Sequence, residues 1–308
     1  MHSHHPSTPH DHAHTTHGGT LRWALLLTLS FAFVEALGGW WSGSLALLGD
    51  AGHMLSDAVA LGLAGLAAWI SRRPPSARHS YGLMRAEVIA ALLNGLLMLA
   101  VVLGIVVEAI RRLQQPQPVS GLAVIGIASV GLVINVIVAL VLSRGEHDMN
   151  TRAALLHVIG DLLGSVAALI AGAVIFFTGW TPIDPILSLA ICALILYSTL
   201  RLLRDALHVL MEGVPGHLDL NSVGNRLARV PGVVSVHDLH IWMLSSGMPA
   251  LSAHVVLERM TDWTDILEQM RDLLREHYRI EHVTLQPEIA AQAHKVHIHP
   301  VRPRKSEH

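Results

Sequence analysis

The sequence predicts a mostly α-helical membrane protein with six transmembrane helices and a small α+β domain on the cytoplasmic side. Two observations predict this fold class. The chain of 308 residues is 52% hydrophobic and only 14% charged, whereas about 25% of the residues of an average soluble domain are charged. The apolar residues are concentrated in 21–207, and residues 208–308 have the composition of an ordinary soluble domain.

Six segments of the apolar region are each long enough to span a bilayer, which takes about 20 mainly apolar residues. They cover residues 21–41, 45–70, 84–110, 119–142, 153–178 and 184–204. The first segment is too long for the apolar region of a signal peptide, follows a polar tail and lacks a clear A-x-A cleavage site. We therefore expect all six segments in the folded protein.

The distribution of arginines predicts the orientation in the membrane. If the N-terminus is cytoplasmic, only Arg111 and Arg112 of the arginines around the spans face outward. The arginines that then face inward are Arg22, Arg72, Arg73, Arg78, Arg85, Arg144, Arg152, Arg201 and Arg204. Cytoplasmic loops carry an excess of arginine and lysine, so we expect both termini to be cytoplasmic.

Both ends of the chain are polar tails that cannot form a hydrophobic core. Residues 1–19 contain seven histidines and residues 292–308 contain four. An expression tag would explain the N-terminal histidines, but their irregular spacing favours weak, exchangeable metal binding by neutral imidazoles. Between the tails, we expect a transmembrane domain over residues 20–207 and a soluble domain over 208–291.

The soluble domain has the element order α-β-β-α-β, which predicts a small two-layer α+β fold. Residues 220–230 are typical of a short helix, and 232–244, 249–258 and 280–288 are typical of strands. Residues 263–278 have the period of an amphipathic helix. Its apolar face is predicted to contain Ile266, Met270, Leu273, Leu274 and His277.

Two of the apolar segments carry the same pair of ionisable residues. His53 and Asp57 in the second span, and His157 and Asp161 in the fifth, are each four residues apart and so lie on one face of a helix. A charged residue at the bilayer centre costs about 2.5–3.5 kcal/mol, which makes such residues typical of functional sites. If the two helices face each other, two imidazoles and two carboxylates provide a tetrahedral ligand set that suits zinc.

Two simpler explanations compete with a metal site in the spans. Each histidine could pair only with the aspartate of its own helix, or one of the two pairs could be a coincidence. The repeated spacing favours the metal site, and no H-x-x-x-H box of a di-iron oxygenase occurs in the spans.

Other polar and small residues of the spans have less specific interpretations. Glu35, Glu108 and Asn135 could line a cavity or join helices by hydrogen bonds. Asp50, expected near the outer mouth, is a secondary candidate metal ligand. Small residues predict close helix packing or sliding in the second and fifth spans. They include Gly62, Gly65, Gly160, Gly164 and Gly172.

Five stretches make the chain resemble the cation diffusion facilitator family, and within it bacterial zinc-efflux carriers. They are SGSLALLGDAGHMLSDAVAL, SRRPPSARHSYGLMRAEVIAALLNG, RAALLHVIGDLLGSV, GWTPIDPILS and VHDLHIWML. The resemblance covers about residues 20–290. It implies six transmembrane helices, a cytoplasmic ferredoxin-like or metallochaperone-like domain, a homodimer, and zinc export driven by proton antiport.

The resemblance also implies which residues bind metal. The transport site of the family falls on His53, Asp57, His157 and Asp161. The site of its cytoplasmic domain falls on His237, His254 and Glu288. Some members have a histidine where Gln286 stands here, so a two-metal arrangement is not expected. A site between spans 2 and 3 of some relatives is not expected either, because only His79 matches it.

The alternation of side chains in strands adds two secondary candidate ligands. His237 and His240 are three residues apart, so a regular strand would place them on opposite faces. His282 and Glu288 are six apart and would share a face. His240 and His282 are therefore secondary candidates, and a packed or exposed strand histidine explains each equally well.

Together these features predict a zinc efflux carrier of the bacterial inner membrane that works by alternating access. An ordinary imidazole titrates near pH 6.5 and must be neutral to bind metal, so protons and zinc compete for the same site. Expected partners are Zn²⁺, H⁺, the lipid bilayer and a second copy of the chain, with Cd²⁺ and other divalent cations as further substrates.

Several classes of function are not expected. A net charge of −2 gives no indication of nucleic-acid binding, and neither an organic cofactor nor enzymatic activity is predicted. Two alternatives stay open. A membrane metalloenzyme would need an open coordination position and a substrate pocket, and a metal sensor would bind zinc without transport.

Overall fold

The structure, a computed structural model, describes residues 17–143, 149–245 and 247–290. Six long helices precede a small domain of two helices and a three-stranded sheet, so the predicted fold class is confirmed. The chain divides into two compact units. The first contains the described residues up to Gly62 and Asn94–Leu200, and the second contains Leu63–Leu93 and the described residues from Arg201 onward.

The six long helices match the predicted spans in number and order. They are α1 His17–Ser42, α2 Leu45–Ser71, α3 Ala86–Gln114, α4 Gly121–Ser143, α5 Met149–Thr178 and α6 Ile183–Leu210. The shortest, α4, has 23 residues and is about 35 Å long, more than the ~30 Å hydrocarbon core of a bilayer. Among the described residues, α2 to α6 each contain a stretch long and apolar enough to cross a membrane.

Within the first unit, α2 packs against helices on several sides. Leu45 belongs to a buried cluster with residues of α3 and α6. Ala46 and Leu47 pack with residues of α4 and α5, and Met54 packs with Phe31 of α1. Burial of apolar side chains on several sides holds α2 in a fixed position, and α2 carries His53 and Asp57.

The start of α2 is held by Asp184, a buried carboxylate in the first turn of α6. Asp184 Oδ1 accepts a hydrogen bond from Ser44 Oγ at 2.6 Å, and Oδ2 accepts one from the Leu45 N–H at 2.6 Å. The N–H of Ala46 lies 3.3 Å from Oδ1. The first N–H groups of a helix have no partner within the helix and carry partial positive charge, so Asp184 fixes α2 to α6.

We expect Asp184→Ala to destabilise the protein, because buried donors at the start of α2 lose their acceptor. Leaving a buried donor unsatisfied costs about 1–3 kcal/mol, so the midpoint of thermal unfolding in detergent should fall. Asp184→Asn keeps one oxygen acceptor and the side-chain shape, and its midpoint should lie between those of wild type and Asp184→Ala. An unchanged midpoint in Asp184→Ala would mean that apolar contacts alone hold α2.

The second unit contains the small α+β domain, and its element order α-β-β-α-β agrees with the prediction. The elements are α7 Leu220–Leu227, β1 Val233–Ser245, β2 Met248–Leu257, a 3₁₀ turn Met260–Asp262, α8 Trp263–Tyr278 and β3 His282–Ile289. The sheet order is β1-β2-β3. β2 is antiparallel to β1 and parallel to β3, as expected when a helix connects β2 to β3.

One face of the sheet packs on the two helices and forms the core of the domain. Ile266, Met270 and Leu274 of α8 are buried there, and Leu273 is partly buried. His277 is exposed, so its predicted place on the apolar face is wrong: a histidine at the edge of the stripe, in the last turn of the helix, reaches solvent. The opposite face of the sheet is free to carry polar side chains.

Strand β1 contains a β-bulge after His237. His237 pairs with His254 and His240 pairs with Ser252, so three steps along β1 correspond to two along β2. Asp238, inside the bulge, has a φ of 52°, in the left-handed region. Paired residues of neighbouring strands point to the same face of the sheet. His254 and Ser252 are two residues apart in β2, so they also share a face. His237 and His240 therefore share a face, and the opposite prediction is wrong because it assumed regular alternation.

Candidate metal sites

Helices α2 and α5 bring together three residues predicted to form the transport site. His53 and Asp57 are one turn apart in α2, with His53 Nδ1 3.5 Å from Asp57 Oδ2. Asp161 comes from α5, and its Oδ1 lies 3.9 Å from His53 Nε2. The imidazole thus lies between carboxylates of two different helices.

The three side chains differ in their access to solvent. The Asp161 side chain is 1% exposed, whereas those of His53 and Asp57 are 22% and 29% exposed. The cluster therefore has an accessible side on α2 and a buried side on α5. This arrangement lets a cation approach from α2 and meet the buried carboxyl group of Asp161.

The spacing of these groups suits zinc after one side-chain rotation. Zinc binds nitrogen and oxygen ligands tetrahedrally at about 2.0–2.2 Å, which places ligand atoms roughly 3.3–3.6 Å apart. The observed separations of 3.5 and 3.9 Å are close to this range. Asp57 faces Nδ1 of His53, and Asp161 faces Nε2. An imidazole binds a given metal ion through only one of its two nitrogens. Binding of all three residues to one ion therefore needs a rotation of His53 or Asp57.

Two further predicted residues belong to the same helices. His157 lies in α5, one turn before Asp161, and its side chain is outside the part of the chain that the structure describes. Asp50 is 2% exposed. Its carboxylate packs against α5 at Gly164, where a β-carbon would collide with it. Asp50 thus lies in the buried contact between α2 and α5.

The other polar residues of the spans fall into different environments. Asn135 Nδ2 in α4 donates to Ser165 Oγ in α5 at 3.1 Å, and both residues are buried. Asn135 is predicted to line a cavity or to join helices by hydrogen bonds, and this hydrogen bond joins α4 to α5. Glu108 pairs with Arg112 one turn later in α3, at 2.9 Å, and is partly exposed.

The second candidate site lies on the face of the sheet that does not pack on the helices. His237 Nε2 in β1 donates to Glu288 Oε2 in β3 at 3.0 Å, and His254 Nδ1 in β2 donates to Glu288 Oε1 at 2.7 Å. One ligand atom of each residue lies within 4.8 Å of the others. Two imidazoles and one carboxylate form a set that binds zinc and leaves a fourth position for water or another ligand.

The two histidines keep the carboxyl group of Glu288 ionised. The hydrogen bond from His254 is the main cause that holds the pKa of Glu288 below its usual range. Partial burial acts in the opposite direction, and the hydrogen bond from His237 adds to the lowering. A carboxylate must be deprotonated to bind metal, so Glu288 can accept a cation at neutral pH.

The secondary candidates His240 and His282 lie outside this three-residue cluster. His240 Nε2 donates to Asp238 Oδ1 at 3.0 Å, and this hydrogen bond is the main cause of the lowered pKa of Asp238. Asp238 Oδ2 lies 3.8 Å from His254 Nε2, where it can orient the imidazole ring of this candidate ligand. His282 contacts Tyr81 edge to face, with ring centroids 5.5 Å apart.

Two positioning residues are absent from the sequence prediction. An aspartate in the first helical turn after a proline, as at Asp184, marks a helix start, but it does not show that the carboxylate binds a second helix. Asp238 takes its place beside His254 through the bulge, and nothing in the sequence indicates a bulge there.

We expect Glu288→Gln to weaken zinc binding by this cluster at least about 100-fold, because changes outside the ligand shell already cost 10–100-fold. The amide keeps the shape of the side chain but removes the charge that both histidines face. In a zinc titration of the full chain, one class of binding sites should disappear. His277→Gln, at an exposed histidine of α8 outside the cluster, is the control and should bind as wild type does. Equal losses in both variants would contradict the three-residue site.

The sequence matches two family models that together cover most of the chain. Residues 21–211 match the cation efflux transmembrane domain. Residues 215–290 match the cytoplasmic domain of cation efflux proteins. The first contains the cluster of α2 and α5, and the second contains the cluster on the sheet.

Two curated relatives and one solved structure are similar to the chain. The zinc transporter ZitB of Escherichia coli (strain K12) is 44% identical over 91% of this chain and 92% of the relative. A cadmium, cobalt and zinc/H(+)-K(+) antiporter of Bacillus velezensis is 37% identical over 92% of this chain and 93% of the relative. The metal-bound C-terminal domain of the CzcD transporter of Cupriavidus metallidurans is 39% identical and covers 23% of this chain and 99% of that domain, with a TM-score of 0.22.

Proposed function

We propose that this chain, which belongs to the cation efflux family, also called the cation diffusion facilitators, carries zinc out of the cytoplasm in exchange for protons. One observation carries the proposal: His53 lies between Asp57 of its own helix and Asp161 of another, inside otherwise apolar helices. The names of the zinc transporter and the proton-linked antiporter among its relatives support it.

The chemistry of the ligands couples zinc to protons. Zinc is the substrate, and the proposed transport site consists of His53, Asp57, His157 and Asp161. A histidine must lose its proton to bind the ion, so zinc and protons occupy the site alternately. In alternating access, zinc enters from the cytoplasm, leaves on the other side, and is replaced by protons that return inward.

The soluble domain has a separate role in this proposal. His237, His254 and Glu288 bind a second zinc ion and so report the cytoplasmic zinc level. The match to the cytoplasmic domain of cation efflux proteins supports an assignment of residues 208–291 to a cytoplasmic domain. We further propose that this domain joins two copies of the chain as a homodimer.

The remaining parts of the proposal concern placement in the cell. Residues 20–207 form the transmembrane domain, in the bacterial inner membrane, with both termini in the cytoplasm. The tails 1–19 and 292–308 supply additional histidines for weak metal binding. No covalent chemistry is needed for transport, so the protein is not an enzyme in this proposal.

Zinc flux into proteoliposomes under an imposed pH gradient tests the proposal. The purified full chain should accumulate zinc inside the vesicles when the gradient is present, and a protonophore should stop the accumulation. Tight stoichiometric zinc binding without flux would favour a metal sensor. Absence of flux together with turnover of a substrate by the zinc-loaded protein would favour a metalloenzyme.

A further inference from the structure

One helical turn from the proposed transport site, a buried carboxylate lies against a glycine of another helix. Asp50 precedes His53 by three residues in α2, and Gly164 follows Asp161 by three in α5. Residues three apart lie on the same face of a helix. A β-carbon at Gly164 would lie 2.4 Å from Asp50 Oδ1, 2.8 Å from Cγ and 2.9 Å from Oδ2. Only a residue without a side chain lets the carboxylate come this close to α5.

Hydrogen bonds hold the Asp50 side chain in this position. Its carboxyl group is hydrogen-bonded to the side chain of Ser165 in α5. Ser165 Oγ also accepts a hydrogen bond from Asn135 Nδ2 of α4, at 3.1 Å. A hydroxyl group can donate one hydrogen bond and accept others, so Ser165 serves both partners. These three buried residues join α2, α4 and α5 in one polar layer beside the site.

The carboxylate of Asp50 has little room to turn away from α5. An aspartate side chain is short, and the neighbouring α2 residues Leu47 and Ala51 are 0% and 1% exposed. Toward α3, a β-carbon at Gly52 would lie 3.1 Å from a side-chain carbon of Val101, so α2 already packs closely there. Close-packed interiors transmit a displacement instead of absorbing it. The contact between Asp50 and α5 therefore limits how near α2 and α5 come.

The separation of α2 and α5 controls the size of the proposed transport site, because its residues come from both helices. His53 Nε2 in α2 and Asp161 Oδ1 in α5 are 3.9 Å apart. Two ligand atoms of one zinc ion are roughly 3.3–3.6 Å apart, so the observed gap is already at the wide end. Further widening takes the ligands out of reach of Zn²⁺ before Cd²⁺, which is larger and forms longer bonds. Proteins select among divalent metals by the geometry and type of their ligands.

We propose that the contact of Asp50 with Gly164 sets the separation of α2 and α5 and thereby determines which divalent cations the transport site accepts. This inference rests on the proposed function, in which the site of α2 and α5 carries zinc. Asp50, a secondary candidate ligand by sequence, acts here as a spacer. Both Asp50 and Gly164 are positioning residues, which act on the ion through the placement of His53 and Asp161.

The ratio of zinc to cadmium affinity tests the proposal. We would measure both affinities by calorimetry of the full chain in detergent and compare the flux of the two ions in proteoliposomes. In Gly164→Ala, the carboxylate of Asp50 must move about 1 Å to reach an ordinary contact distance from the new β-carbon. We expect zinc affinity to fall about 10–100-fold, as for other changes outside the ligand shell. Cadmium affinity should fall less, so the ratio shifts toward cadmium.

A second substitution tests whether the contact itself is responsible. Asp50→Ala removes the three atoms that a β-carbon at Gly164 would meet most closely. Alone, it leaves α2 and α5 without their spacer and should also change the ratio. In the double variant Gly164→Ala/Asp50→Ala, the new methyl group occupies the space of the carboxylate, and the ratio should return toward that of wild type. Such non-additive effects are expected for residues in contact.

Two further variants control the measurement. Gly160→Ala in the same helix adds a β-carbon that meets nothing within 4 Å and should keep the wild-type ratio. Asp50→Asn keeps the size and shape of the spacer and should keep the ratio as well. If Gly164→Ala fails to fold, the comparison of Asp50→Ala with the double variant decides, because neither protein contains the collision. Equal ratios in those two variants would then overturn the inference.

The possible results separate this inference from the function on which it rests. Equal falls of both affinities in Gly164→Ala leave the ratio unchanged and overturn the positioning role, even if wild-type flux is normal. Loss of one bound zinc in Asp50→Asn also overturns it and identifies Asp50 as a metal ligand. A shifted ratio of affinities in a chain that shows no flux supports the positioning role and contradicts the transport function alone.

Discussion

Asp57→Ala and Asp161→Ala should each abolish zinc flux driven by a pH gradient in proteoliposomes. Both carboxylates face the imidazole of His53, at 3.5 and 3.9 Å. Each substitution removes a charged ligand from the proposed four-residue site. We therefore expect zinc affinity to fall at least about 100-fold, beyond the 10–100-fold that changes outside the ligand shell cost. The rate should fall below detection at zinc concentrations that saturate the wild type.

The controls distinguish loss of the site from loss of the protein. Asp57→Asn and Asp161→Asn keep the shape of the side chains but not the charge, and should also be inactive. Glu108→Gln removes a carboxylate from the same transmembrane unit but outside the cluster, where it pairs with Arg112, and should retain flux. Flux that survives both aspartate substitutions would place the transport site elsewhere in the chain.

The sequence predicts the elements of this protein well because each has its own local pattern. Helix α8 is observed at Trp263–Tyr278, the same residues as the amphipathic pattern that predicts it. The strands are observed within two residues of their predicted starts, because turn residues and runs of β-branched side chains bound them. The six spans follow from apolar length alone.

The candidate sites are less fully predictable because they depend on contacts between distant segments. A spacing of four residues places His53 and Asp57 on one helix face, but it does not show that Asp161 lies against them. The bulge at Asp238 changes which strand histidines share a face, and a single extra residue in a strand leaves no local pattern. Asp184 accepts a hydrogen bond from the N–H of Leu45, which lies 139 residues earlier in the chain, so no local pattern predicts this contact.

Gly121→Ala should push α4 away from α5 and destabilise the transmembrane domain by about 1–3 kcal/mol, as overpacking of a buried contact does. A β-carbon at Gly121 would lie 2.7 Å from the backbone nitrogen of Phe176 and 2.8 Å from the carbonyl oxygen of Gly172. These are backbone atoms of α5, which cannot rotate away as the end of a side chain can. Because α5 also carries Asp161, zinc flux should fall together with the midpoint of thermal unfolding in detergent.

Gly126→Ala in the same helix is the matched control, because a β-carbon at Gly126 meets nothing within 4 Å. Alanine is favoured over glycine in a helix by roughly 0.5–1 kcal/mol, so this variant should be as stable as wild type or more stable. The difference between the variants then measures the close approach of α4 and α5. Equal stability of both variants would contradict that approach.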